Sequence, residues 1–248
     1  TIDYNKIADV TTGINYSNQK AKIYYLLNDG TIYKEGHFGI NQYFNLPTKI
    51  DLPEPVYQFS CTSAATTHGN IYFWDIELSR QYLGKIPDFL SNGNFCIQFD
   101  KKIRQIEEHY ADTFLLTEDG ELYFIGEGSL FGYPSLIGQY PEPSEKFFIP
   151  TKIEVPENIV QIFRTKKYLF LIGESGKFYY AYCFVDIGVN NQFIPPNGKA
   201  YSYDTQLFKE ISLDSSVKQI AYSLHGEVFV LTENGKIFSW NCIDDVKP

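Results

Sequence analysis

The chain has 248 residues, a net charge of −9, 17% aromatic residues and no methionine. That length allows one large β domain and ample core, and the negative charge argues against nucleic acid and for a basic protein partner met through its field. No apolar run is long enough for a membrane span.

Five near-copies of one unit follow in chain order. The first, "LNDGTIYKEG", turns at Gly30 and continues through Ile32 and Tyr33. The second, "TTHGNIYFW", turns at Gly69 before Ile71, Tyr72 and Trp74. The third, "LTEDGELYFIG", has Gly120, Leu122 and Tyr123; the fourth, "IGESGKFYYAY", has Gly176, Phe178 and Tyr179. The fifth, "LTENGKIFSW", has Gly235, Ile237, Phe238 and Trp240. Asp-Gly and Asn-Gly supply the positive φ of a tight hairpin turn. Neighbouring strand residues point to opposite faces. Apolar side chains two and three residues after each glycine therefore predict strands covered on both sides.

A second shared segment lies upstream of these hairpins. "PTKIDLPEPVYQF" from Pro47 matches "PTKIEVPENIVQI" from Pro150, with weaker copies at Lys101 and Glu210. Each copy reaches a glutamine: Gln58, Gln105, Gln161 or Gln219. The spacing from glutamine to turn glycine is fifteen residues in the third and fourth copies, sixteen in the fifth and eleven in the second. A lost strand end, or missing residues within Cys61–Gly69, would each explain the shortfall. The period of ~40–60 residues belongs to propellers and solenoids. The expected fold is all-β: a β-propeller of about five four-stranded blades, closed by pairing of N- and C-terminal strands, with edges thereby removed. Repeats fall at approximately 1–46, 47–90, 91–149, 150–207 and 208–248 of a single domain.

"DTFLLTEDGELYFIG" and "EVFVLTENGKIFSWN" resemble the repeat of the regulator of chromosome condensation family. The matching residues are Thr113, Leu116, Thr117, Glu118, Asp119, Gly120, Leu122, Tyr123 and Gly126 in the third copy. In the last they are Leu231, Thr232, Glu233, Gly235, Ile237, Phe238 and Trp240. The family histidine is replaced by Asp112, Tyr168 and Glu227, and the glycine after Trp by Asp75, Tyr182 and Asn241. The founding member resembles a closed seven-bladed propeller, and five copies stand here. The resemblance implies nucleotide exchange on the small GTPase Ran. Bacterial relatives delivered into host cells look like Ran activators. Other relatives are ubiquitin-ligase modules or secreted β-lactamase inhibitors. No counterpart of the founding member's basic tail or exchange hairpin is visible, so chromatin work is not expected.

Catalytic motifs are lacking: there is no G-x-S-x-G, no phosphate-cradling loop and no H-E-x-x-H. "EEHYAD" from Glu107 gathers carboxylates and a histidine, but strand neighbours diverge and a solvated loop is the simpler reading. His37, His68, His109 and His225 occupy four different repeat positions and are expected at turns or on the surface. Trp74 and Trp240 share one position and are expected in the core. Cys61, Cys96, Cys183 and Cys242 form no C-x-x-C pair and fit reduced thiols. No signal peptide opens the chain, which begins at Thr1 and is read as processed, a fragment or incomplete. An intracellular, reducing setting is expected, with a bacterial protein in host cytoplasm as the case the resemblance suggests.

Two long connections, Gly126–Phe148 and Cys183–Phe208, carry Gly, Pro, Asn, Ser and aromatics. Loops on a rigid scaffold are the usual place for binding. Glu127, Phe131, Tyr133, Tyr140, Phe193, Tyr201 and Asp204 are the expected partner-binding residues. The five glycines are structural turn residues, and no catalytic residue, metal or cofactor is expected. The expected function is a monomeric protein-binding scaffold that regulates a Ran-type GTPase by exchange. An adaptor or inhibitor without exchange activity, and a carbohydrate or small-molecule binder using the aromatic loops, are the alternatives.

Overall fold

The computed structural model describes residues 2–15, 20–36, 46–74, 95–109, 112–125, 150–165, 168–182, 208–222 and 227–241. They form five antiparallel sheets and one 3-10 turn, Tyr4–Lys6. The first sheet is β1 (Ile7–Asn15), β2 (Lys20–Leu27), β3 (Ile32–Glu35) and β4 (Thr48–Ile50). The second is β5 (Val56–Phe59), β6 (Ser63–Thr66), β7 (Asn70–Phe73) and β8 (Phe95–Gln98). The third is β9 (Ile103–His109), β10 (Asp112–Thr117), β11 (Leu122–Ile125) and β12 (Thr151–Ile153). The fourth is β13 (Ile159–Arg164), β14 (Tyr168–Gly173), β15 (Phe178–Tyr182) and β16 (Lys209–Ile211). The fifth has β17 (Val217–Tyr222), β18 (Glu227–Thr232) and β19 (Ile237–Asn241).

Strands pair in sequence order within every sheet, as in propeller blades. The segment beginning at Pro47 does not open a sheet. Its first half, β4, pairs with β3, and only its second half, β5, starts the next sheet. The same division falls at Pro150, where β12 closes the third sheet. The N-terminal strand belongs to the first sheet and pairs with β2. Its expected pairing with the C-terminal strand is not found among the described strands, and β19 has only β18 beside it. The short second copy is explained by a short hairpin. β5 and β6 have four residues each, and the Ser60 amide donates to the Ser63 carbonyl at 2.8 Å.

Core packing follows one direction. Side chains six and four residues before each turn glycine, and two and four after it, make a forward face. Those seven and five before, and three and five after, make a rear face. Forward residues Tyr24, Leu26 and Ile32 pack on rear residues Ala64 and Trp74 of the second sheet. Ala65, Ile71 and Phe73 pack on Leu115 and Ile125 of the third. Phe114, Leu116, Leu122 and Phe124 pack on Leu169, Leu171, Tyr179 and Ala181 of the fourth. Phe170, Ile172 and Phe178 pack on Val228 and Val230 of the fifth. Both faces of the second, third and fourth sheets are thus covered, which is why both are apolar. Trp74 is in the core, at 3% exposure.

The fifth sheet breaks the pattern. Ile237, at the position where Leu122 is fully buried, is 71% exposed, so the expectation of cover on both sides fails there. Among the described residues no sheet follows it.

Two polar devices recur along the stack. The turn glycine's carbonyl accepts from the first residue of the next inner strand: Val56 to Gly30 at 3.0 Å, Ile159 to Gly120 at 2.9 Å and Val217 to Gly176 at 3.2 Å. At Gly69 the donor is Phe99 instead, and Ile103 donates to the Tyr57 hydroxyl at 2.8 Å. The tyrosine three residues after the glycine is anchored by a carboxylate: Tyr72 donates to Glu54 at 3.2 Å, Tyr123 to Glu121 at 2.8 Å and Tyr179 to Glu157 at 2.8 Å.

The repeated glutamine follows a β-bulge in every copy that has one. The register of each inner strand skips one residue: Ala8, Tyr57, Arg104, Val160 and Lys218. A bulged residue leaves the ladder and its strand twists more strongly. All five are solvent-exposed. Behind the bulge, Gln105 grips the next sheet with both ends of its amide. It donates to the Ile162 carbonyl at 2.7 Å and accepts from the Ile162 amide at 3.0 Å.

Candidate interaction surface at the loop end

The turn glycines lie at one end of the sheets, with φ between 80° and 84°. In a four-stranded antiparallel blade, the first and third strands both run away from that end. Hence β5, β9 and β13 finish at the opposite end, together with β3, β7, β11 and β15. The four longest connections, 36–47, 74–94, 126–150 and 183–208, therefore all depart from one end. Expected binding residues Glu127, Phe131, Tyr133, Tyr140, Phe193, Tyr201 and Asp204 fall on two of these connections, and they lie outside the described residues. The described strands fix where those connections are anchored: Ile125 and Thr151 for one, Tyr182 and Lys209 for the other.

The described part of this end carries a polar cluster that sequence reasoning did not find. "EEHYAD" is not a loop at its start, because Glu107 and Glu108 belong to β9. As strand neighbours they diverge. Glu108 reaches the second sheet, where its Oε2 accepts from the Thr62 amide at 2.8 Å and the Cys61 thiol at 3.1 Å. Glu107 turns toward the fourth sheet and accepts from the Gln105 amide at 2.9 Å. There the Arg164 guanidinium donates to the carbonyls of Thr165 and Tyr168. The available signal was the strand period itself, which places successive carboxylates on opposite neighbours.

Burial pushes the Glu107 carboxyl up to about 7, and the charge of Glu108 adds to the effect. The Gln105 amide, the Arg164 backbone N–H and the Arg164 charge oppose it. Burial and Glu108 likewise raise the Cys61 thiol, which makes it a poor nucleophile. Cys96 is exposed. Among the described residues, no group of three His, Cys, Asp or Glu side chains is placed to hold a metal ion. None of the helical segments is long and apolar enough to cross a membrane.

Glu107 gives this junction a pH dependence with a definite sign. Its ordinary value is 4.5, and the folded value lies above it. Below about pH 4 the carboxyl is protonated in both states and burial carries no ionisation penalty. Between about pH 4.5 and 7 the folded chain holds a proton that the unfolded chain has released, so stability falls as pH rises. Glu107→Gln should flatten that slope and stabilise the protein by roughly 1–2 kcal/mol at about pH 8. Urea unfolding across this range checks it. Parallel curves for the two proteins would show that Glu107 does not titrate in this way.

The chain matches no protein-family model and no curated protein. Solved structures do match in fold. Human WBSCR16 superposes with a TM-score of 0.66 at 17% identity, covering 97% of this chain and 63% of that one. Prp20p of Saccharomyces cerevisiae gives 0.61 at 15% identity, covering 88% and 56%. Hsv2 of Kluyveromyces lactis gives 0.52 at 10% identity, covering 95% and 59%. The chain thus spans under two thirds of each of these proteins. Prp20p is yeast RCC1, and its structure is described with its binding to Gsp1p and histones. The fold is therefore an RCC1-like propeller, as the repeat suggested.

Proposed function

We propose that this protein is a protein-binding propeller scaffold that regulates a small GTPase of the Ran type. The observation that carries the reading is the fold shared with Prp20p, a protein described as binding Gsp1p. The gathering of the long connections at one end of the sheets supports it, because such loops grip partners on a rigid frame. The net charge of −9 favours encounter with a basic patch. The mechanism is differential binding: contacts that hold the nucleotide-free GTPase more tightly than the loaded form accelerate release. Glu127, Phe131, Tyr133, Tyr140, Phe193, Tyr201 and Asp204 are the proposed contact residues. Tyrosine and phenylalanine supply the buried area of such an interface, and the carboxylates supply its charge.

The test is release of a fluorescent guanine nucleotide from Ran with and without the 248-residue chain. Faster release in proportion to added protein is the expected result. Binding to Ran without acceleration would leave an adaptor. Absence of both would overturn the GTPase reading.

A further inference from the structure

The junction between the second and third sheets departs from the others at both of its ends. Six residues before the turn glycine, the forward face carries an aromatic ring in the other four sheets: Tyr24, Phe114, Phe170 and Phe229. The second sheet has Ser63 there. On the facing side, Thr113 stands where Leu169 and Val228 stand in the next two sheets. Phe114 and Phe170 thus meet aliphatic chains across their junctions, whereas the buried Ser63 and Thr113 bring only hydroxyl groups to theirs. The next pair along, Ala65 and Leu115, is also smaller than Leu116 and Leu171. Two enclosed atoms at this loop end have no hydrogen-bond partner, the Ser63 Oγ and the Glu108 Oε1. An unpaired oxygen opposes the contact that encloses it. At the turn end, the Gly69 carbonyl accepts from Phe99, ahead of β9, and β9 itself is tied through the Ile103 amide to the Tyr57 hydroxyl.

We infer that this junction is a joint: the second and third sheets part at the loop end while each stays folded. The movement keeps every hydrogen bond within the sheets. Across the loop end it gives up the contact of Ala65 with Leu115 and the hold of Glu108 on Thr62 and Cys61. In return, water reaches the Ser63 Oγ and the Glu108 Oε1. The tie from Ile103 to Tyr57, at the opposite end, serves as the pivot. The joint lies between the anchors of two long connections, because 74–94 leaves the second sheet and 126–150 leaves the third. Opening changes their separation, and a partner seated on both would select one setting of the joint. The joint itself stands whether or not that partner is a GTPase.

Methyl relaxation dispersion and native-state hydrogen exchange of the full chain test this. The Ala65 and Leu115 methyls, from opposite sides of the joint, should exchange at one shared rate while those of Leu116 and Leu171 stay quiet. The Thr62 amide, held by Glu108, should exchange at least roughly tenfold faster than the Ile162 amide, which is held by Gln105 across the next junction. Ser63→Ala removes an unpaired hydroxyl and should lower the population of the open form roughly tenfold. Quiet Ala65 and Leu115 methyls, or equal protection of the two amides, would overturn the proposal. So would exchange at Thr62 with Leu115 silent, because that marks fraying of one loop and not a parting of two sheets.

Discussion

Phe114→Ala is expected to destabilise the folded chain by about 3–5 kcal/mol, and Phe229→Ala by less than about 1 kcal/mol, although the two residues hold the same place in the repeat. Phe114 is wholly buried, and its ring lies 5.3 Å from that of Phe124. Around it stand Leu116, Leu122 and, from the fourth sheet, Leu169 and Leu171. Removing it opens a cavity that two rigid sheets cannot collapse to fill. Phe229 is 39% exposed, so its truncation leaves no cavity. Urea unfolding of the two variants compares them directly. Equal losses would mean that position in the repeat, and not the neighbouring sheet, sets the energy.

Gly120→Ala should destabilise by about 3 kcal/mol, against about 1–2 kcal/mol for Gly235→Ala. Both glycines have φ of 84°, so the left-handed strain on alanine and the change in the unfolded chain are shared. The difference lies in what the new methyl meets. At Gly120 it would come within 2.8 Å of the Asn158 Cβ and 3.0 Å of the Ile159 nitrogen, the same nitrogen that donates to the Gly120 carbonyl. The junction must open, and that hydrogen bond lengthens with it. At Gly235 the space is empty. Thermal unfolding of both variants measures the gap. No gap would show that the hairpin turns do not bear on the following sheet.

The parts of this molecule that repeat were legible in its sequence. The turn glycines, the paired apolar and aromatic positions after them and the all-β class follow from local rules of turn and strand. The direction of stacking was not legible, because Leu122 and Tyr123 are both apolar and neither reveals which neighbour it meets. Nor were the sheet limits: β4 and β5 are continuous in the motif that begins at Pro47, and only hydrogen bonding to Ile32–Lys34 assigns β4 backwards. The glutamines were visible as markers, but the bulge before each is a feature of register, carried by residues as different as Ala8, Tyr57, Arg104, Val160 and Lys218. The exposure of Ile237 was hidden for a related reason. A repeat shows what each unit offers and not whether a neighbour is there to take it. At the loop end, Glu108 finds Cys61 and Thr62 across a separation of 46 to 47 residues that no short motif records.

The stack is held together by each sheet covering the forward face of the one before it. A double-mutant cycle measures that directly. Phe114→Leu combined with Leu169→Ala, across the junction of the third and fourth sheets, should show a coupling of about 1 kcal/mol or more, while Phe114→Leu combined with Ile71→Val should be additive within about 0.5 kcal/mol. Coupling of Phe114 to Ile71 with none to Leu169 would contradict the direction of stacking, and additivity of both pairs would contradict the stack itself.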